Sequence, residues 1–135
     1  MKKLLLATTV IELGAALALL CCPSAAVALL LGSRLDAPAA ETLGRVAGAA
    51  LLALGVACWL AQYDAQSYAA RGVVTAMALY NLGAAVILGV AGLRSQTAGA
   101  ALWLVVVLHA AMTAWCITSL LRKPSHQVKQ EKHQP

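Results

Sequence analysis

Apolar residues run almost unbroken through four stretches, at about residues 4–22, 40–62, 72–93 and 99–121, separated by short clusters of Pro, Gly, Ser and charged residues. Each is near the ~20 residues that an α-helix needs to cross a hydrocarbon core. None alternates as a barrel strand would, and a bilayer leaves only helices or closed barrels as ways to satisfy backbone groups. The pattern predicts an all-α integral membrane bundle of four transmembrane helices occupying residues 1–121. Residues 122–135 are polar, carry two prolines and lack apolar periodicity, which predicts a disordered basic cytoplasmic tail.

Between the first two stretches, residues 24–33 are apolar but too short to span, opened by Pro23 and closed by Gly32 and Ser33. They read as a short interfacial helix after the first span. In a second reading the first helix continues through Pro23 with a kink, so that the embedded part runs from about Leu13 to Leu31. Glu12 would then sit near the edge of the membrane instead of its centre.

Composition agrees with membrane insertion: 61% of the residues are hydrophobic and 11% are charged, against about 25% charged in soluble domains. The net charge of +5 does not point to nucleic acid, because the basic residues collect at the ends of apolar runs and in the tail, where lipid headgroups lie. If the spans alternate, Lys2, Lys3, Arg71, Arg122, Lys123, Lys129 and Lys132 share one side, opposite Arg34, Arg45 and Arg94. The positive-inside rule then predicts a multi-pass protein of the bacterial inner membrane with both termini cytoplasmic. Interface anchors are predicted at Trp59 and Trp103, and at the i,i+4 pair Glu41 and Arg45. The N-terminus also resembles a secretory signal, but Glu12 lies within its apolar run and signal cores are normally uncharged. Cys21, Cys22, Cys58 and Cys116 have no metal-site spacing, so neither zinc nor a disulfide framework is expected.

Glu12 is the one charge between Leu4 and Cys22, and an ionisable group inside a membrane is costly unless partnered or functional. Asn81 and His109 fall near the centres of the third and fourth spans when positions are counted at about 1.5 Å per residue. The three could gather at one depth as a candidate proton or polar site, with Thr8, Thr9 and Thr113 one turn away. A carboxylate and an imidazole that change charge are what a proton-coupled carrier needs. The alternative is interhelical glue, because polar side chains hold many membrane helices together at only about 0.6–2 kcal/mol each. Small residues such as Gly44 and Gly48 on the second span are spaced for tight packing. No nucleophile motif, phosphate loop or second membrane histidine is present, so no catalytic residue, metal or cofactor is assigned.

Four short helices with a glutamate in the first, here within Val10-Ile-Glu-Leu-Gly14, resemble the small multidrug resistance transporters. The resemblance implies proton-for-cation exchange through Glu12. The aromatic residues which that family places around its glutamate are not matched, and the segment from Pro23 to Ser33 is extra. Over its whole length the chain is more similar to uncharacterised small four-helix bacterial membrane proteins, particularly in residues 45–55 and 78–83, which implies a location and no activity. The leading expectation is a non-enzymatic structural or accessory bundle, with the lipid bilayer, copies of itself or a larger membrane complex as partners. The alternative is a small proton-coupled carrier of a small or cationic solute with Glu12 as proton site.

Overall fold

A computed structural model describes residues 1–95 and 98–122; the predicted tail from Lys123 onward lies outside them. Helix accounts for 86% of the described residues, and no strand forms among them. Five helices follow in order: α1 (Lys2–Cys21), α2 (Pro23–Leu31), α3 (Pro38–Ala61), α4 (Tyr68–Arg94) and α5 (Leu102–Leu121), with a 3₁₀ turn at Gln62–Asp64. All but α2 are long and apolar enough to cross a membrane, which makes this an all-α, multi-pass membrane bundle.

Local chemistry sets the boundaries. Pro23 and Pro38 begin α2 and α3, where a missing N–H costs nothing and the fixed φ suits a helix. Cys22 leaves helical geometry, at φ −137° and ψ 60°, so α1 ends there instead of running on through Pro23. Gly32 closes α2 in the left-handed conformation at φ 74°, which glycine reaches without a Cβ penalty. Ser67 caps α4, its Oγ accepting from the Ala70 N–H at 3.1 Å.

The helices pack as two antiparallel hairpins, α1 against α3 and α4 against α5, with sparser contact between the pairs. Gly48 and Gly55 let α1 lie close to α3. A Cβ at Gly48 would stand 3.1 Å from the Ala16 carbonyl oxygen and 3.0 Å from the Leu20 side chain, and one at Gly55 would stand 3.1 Å from Leu13. In the second hairpin the Arg71 guanidinium donates to the Leu120 carbonyl at 2.9 Å, satisfying an acceptor that the end of α5 leaves without a helical partner.

Leu4, Leu5, Cys58, Val74, Met77, Met112 and Cys116 form a buried core at the end of the bundle that carries the N-terminus. At the other end α2 reaches across from the first hairpin to the second: the N–H groups of Gly99 and Ala101 donate to the carbonyls of Leu30 and Leu29, each at 3.1 Å. A Cβ on Gly99 would collide with the Leu29 carbonyl, so the contact requires glycine. Only 17–33% of the most apolar part of each span is buried within the protein. The remaining faces, including Leu43, Leu93 and Leu104, suit contact with lipid.

Close packing at Gly48 and Gly55 predicts that Gly48→Val and Gly55→Val each destabilise by about 1–3 kcal/mol, the usual cost of overfilling a packed contact. Gly14 and Gly72 have open space around a built Cβ. Their replacement by Ala should be neutral or stabilising by up to about 1 kcal/mol through helix propensity. Thermal unfolding in detergent micelles, followed by circular dichroism, separates the two groups.

Candidate functional site

The polar residues inside the spans are handled first by their own helices. Thr9, Thr75 and Thr113 each donate a hydroxyl hydrogen bond to the carbonyl four residues earlier, at 2.9 Å. This removes a donor that lipid could not satisfy. Asn81 does the same with its amide, Nδ2 donating to the Met77 carbonyl at 2.8 Å.

That bond leaves Asn81 Oδ1 to face α5, where it stands 2.7 Å from Nδ1 of His109. An amide turned the other way would set Oδ1 against the Met77 carbonyl, two acceptors with no proton between them. Asn81 Oδ1 can only accept, so the proton lies on His109 Nδ1. In the neutral ring Nε2 then carries the lone pair. Tyr80, the neighbour of Asn81, sets its ring edge-to-face against His109, with centroids 5.8 Å apart and planes at 83°. Asn81 is buried at 2% exposure, whereas His109 and Tyr80 are half-buried.

Glu12 does not join this pair by a hydrogen bond. It is 3% exposed and turns toward α3, where its Cβ would lie 3.4 Å from a Cβ built on Gly55. Thr9, on the same hairpin, adds a longer 3.4 Å contact to the Gly55 carbonyl. Of the three residues singled out by depth, Asn81 and His109 meet, and Glu12 belongs to the other hairpin.

His109 and Tyr80 border a cavity of about 680 Å³ between the hairpins, in the half of the bundle away from the termini. Its other walls are Ala, Leu, Ile, Val and Gly residues from all five helices, including Leu29 and Leu30 of α2, Val105 of α5 and Ala101 just before it. The volume falls within the ~300–1,000 Å³ usual for small-molecule sites, and the lining follows their pattern of apolar walls with few polar groups. The cavity left no mark in the sequence, because it arises from the spacing of two hairpins and not from any one helix.

The predicted anchors lie at the margins. Arg45 Nη1 stands 3.6 Å from Glu41 Oε2 on an exposed turn of α3, an arrangement worth little in stability. With Ser24 and Arg34 they rim a smaller hollow of about 290 Å³ beside the start of α2. Trp59 is exposed and packs edge-on to Tyr63, with centroids 5.9 Å apart. Trp103 is exposed at the start of α5, its ring 3.2 Å from a Cβ built on Gly92. Gln62, which sequence reasoning passed over, is buried in the 3₁₀ turn with Nε2 unpartnered. It is the last residue of the second apolar stretch, where a polar side chain reads only as the end of the run.

The Asn81–His109 hydrogen bond predicts a measurable coupling. A double-mutant cycle with Asn81→Leu and His109→Leu, read by unfolding in bicelles, should give an interaction energy of about 0.6–1.7 kcal/mol. The same cycle between Glu12→Leu and Asn81→Leu should give a smaller value, since no hydrogen bond joins them.

Comparison with protein families, with characterised proteins and with solved structures finds no match to this chain.

Proposed function

We propose that this protein is a non-enzymatic membrane carrier of a small or cationic solute, linked to protonation at Glu12 and modulated by His109. The observation that carries the reading is the cavity of about 680 Å³ between two loosely joined hairpins, bordered by the His109 imidazole. A bundle that served only as a scaffold would gain by filling that space, because an unfilled gap forfeits dispersion contacts. Buried Glu12, on the same helix as the lining residues Ala15 and Ala18, adds the group that the cavity itself lacks. Intramembrane carboxylates are costly enough to mark proton relays in many transporters.

The two ends of the cavity also differ in a way that suits alternating exposure. The seven-residue apolar core lies toward one end of the bundle, and at the other α2 lines the cavity and makes two backbone hydrogen bonds to the segment before α5. The resemblance to small multidrug resistance transporters, resting on Glu12 in the first helix, is consistent with this reading. A structural or accessory bundle that associates with copies of itself or a membrane partner is the second reading. The extensive outward apolar faces favour it, since another helix could cover them as well as lipid.

We place the protein in a bacterial inner membrane with both chain ends cytoplasmic, on the strength of Lys2, Lys3, Arg71 and Arg122 at one end of the spans. Ser33 and Gln66 would then lie on opposite sides. In a background with the four native cysteines replaced by Ala, Ser33→Cys should react with a membrane-impermeant maleimide from outside intact cells. Gln66→Cys should react only after permeabilisation, and the reverse pattern would invert the topology.

The proton link is tested in liposomes loaded with a pH-reporting dye. Addition of tetraethylammonium, a cation, or of benzyl alcohol, a neutral solute, should move protons in the presence of the protein and not in empty liposomes. Glu12→Gln should abolish that movement while leaving the helical circular dichroism unchanged. Proton movement that survives Glu12→Gln would falsify the carrier reading, and so would its absence with both solutes.

A further inference from the structure

Two polar side chains, Tyr80 and His109, border the cavity, and the tautomer of the imidazole is fixed by covalent chemistry and two hydrogen bonds. The Met77 carbonyl can only accept, so Asn81 must turn Nδ2 toward it. Asn81 Oδ1 can only accept in turn, so His109 Nδ1 carries the proton. The other ring nitrogen, Nε2, has no hydrogen-bond partner among the described residues, yet it is not sealed from its surroundings as Gln62 Nε2 is. A positive charge on this ring would face mainly apolar walls, with no carboxylate hydrogen-bonded to it. His109 thus gives the cavity wall a neutral acceptor among mainly apolar side chains.

We infer that the cavity takes a neutral lipophile bearing one hydroxyl, whose O–H donates to Nε2 of His109 while its apolar body lies against Leu29, Leu30, Ile87 and Leu88. This narrows the solute class and rests on the reading of the cavity as a solute site. An occupant without a donor leaves Nε2 unpaired against a mainly apolar wall, and such a site discriminates against it. A quaternary cation has no proton to give to Nε2 and meets no hydrogen-bonded counter-charge on the cavity wall.

The two bonds also explain why the acceptor keeps its position. Asn81 is held through Met77 to its own helix, and His109 is held through Asn81 to the neighbouring helix. Tyr80 braces the ring edge-to-face at 5.8 Å between centroids. His109 is therefore preset toward its ligand, which lowers the ordering cost of binding.

The test compares 4-hexylphenol with 4-hexylanisole, its methyl ether, which has a similar apolar body and no donor. Saturable binding of each is measured on the purified full chain in detergent, with tetraphenylphosphonium as a donor-free cation. The wild type should bind the phenol about tenfold more tightly than the ether, and both more tightly than the cation. In His109→Leu the phenol and ether should bind alike, with ether affinity retained, and Asn81→Leu should narrow the difference between them. Equal binding of phenol and ether by the wild type would overturn the inference while leaving the solute site in place. A phenol preference that survives His109→Leu would do the same, as would tighter binding of the cation. Saturable binding of none of the three would overturn the reading of the cavity as a solute site, and the inference with it. The wild-type comparison stands without any variant, so it decides the matter even if a substituted chain fails to fold.

Discussion

Gly48 and Gly55 allow α1 to approach α3 so closely that a methyl group at either position would press on backbone or on Leu13, Leu19 and Leu20. In lipid the hydrophobic effect does not drive helices together, and close van der Waals packing takes its place. The contact fixes the register of the first hairpin, setting residue 12 beside residue 55 and residue 16 beside residue 48. Glu12 is buried as a consequence of that register. Pro23 is also drawn against α3, its Cβ 3.0 Å from a Cβ built on Gly44, which starts α2 on its course across the bundle.

The second hairpin is packed less uniformly. A Cβ at Gly92 would press on Leu102 at 2.7 Å, whereas one at Gly89 would reach only Val106 at 4.0 Å and one at Gly83 would meet nothing. Space thus opens along α4 toward the middle of the membrane, and Gly83 is part of the cavity wall. Side-chain hydrogen bonds such as Asn81–His109 and Arg71–Leu120 hold α4 to α5 within this hairpin. Between hairpins, the bonds from Gly99 and Ala101 to α2 are made by backbone alone. Each hairpin is therefore strongly specified in itself and lightly tied to the other.

The spans were legible in the sequence because bilayer thickness converts directly into run length, and Pro and Gly punctuate the runs. The contact between Asn81 and His109 was half-legible: counting along each helix gives depth, but depth carries no azimuth. On α1 the buried positions Leu4, Leu5, Thr8, Thr9, Glu12 and Ala16 form one stripe, yet the lipid-facing positions are equally apolar, so periodicity does not distinguish the inner face. That is why Glu12 was readable as costly and unreadable as a neighbour of Gly55. Tyr80 was visible only as an aromatic beside Asn81, and its role against His109 depends on the pairing of α4 with α5.

The division of polar groups between the hairpins has a mechanical consequence. Glu12 is carried by α1 against α3, and His109 is carried by α5 and fixed through Asn81 to α4, so a movement of one hairpin against the other changes their separation without breaking either attachment. A charge on Glu12 interacts more strongly with the polar His109 ring as the two approach and as water is excluded. A protonation change at Glu12 would then bias the spacing of the hairpins, and the spacing sets the width of the cavity between them. The looseness that leaves the space unfilled is also what would let charge and cavity shape influence one another, which a uniformly packed four-helix bundle could not provide.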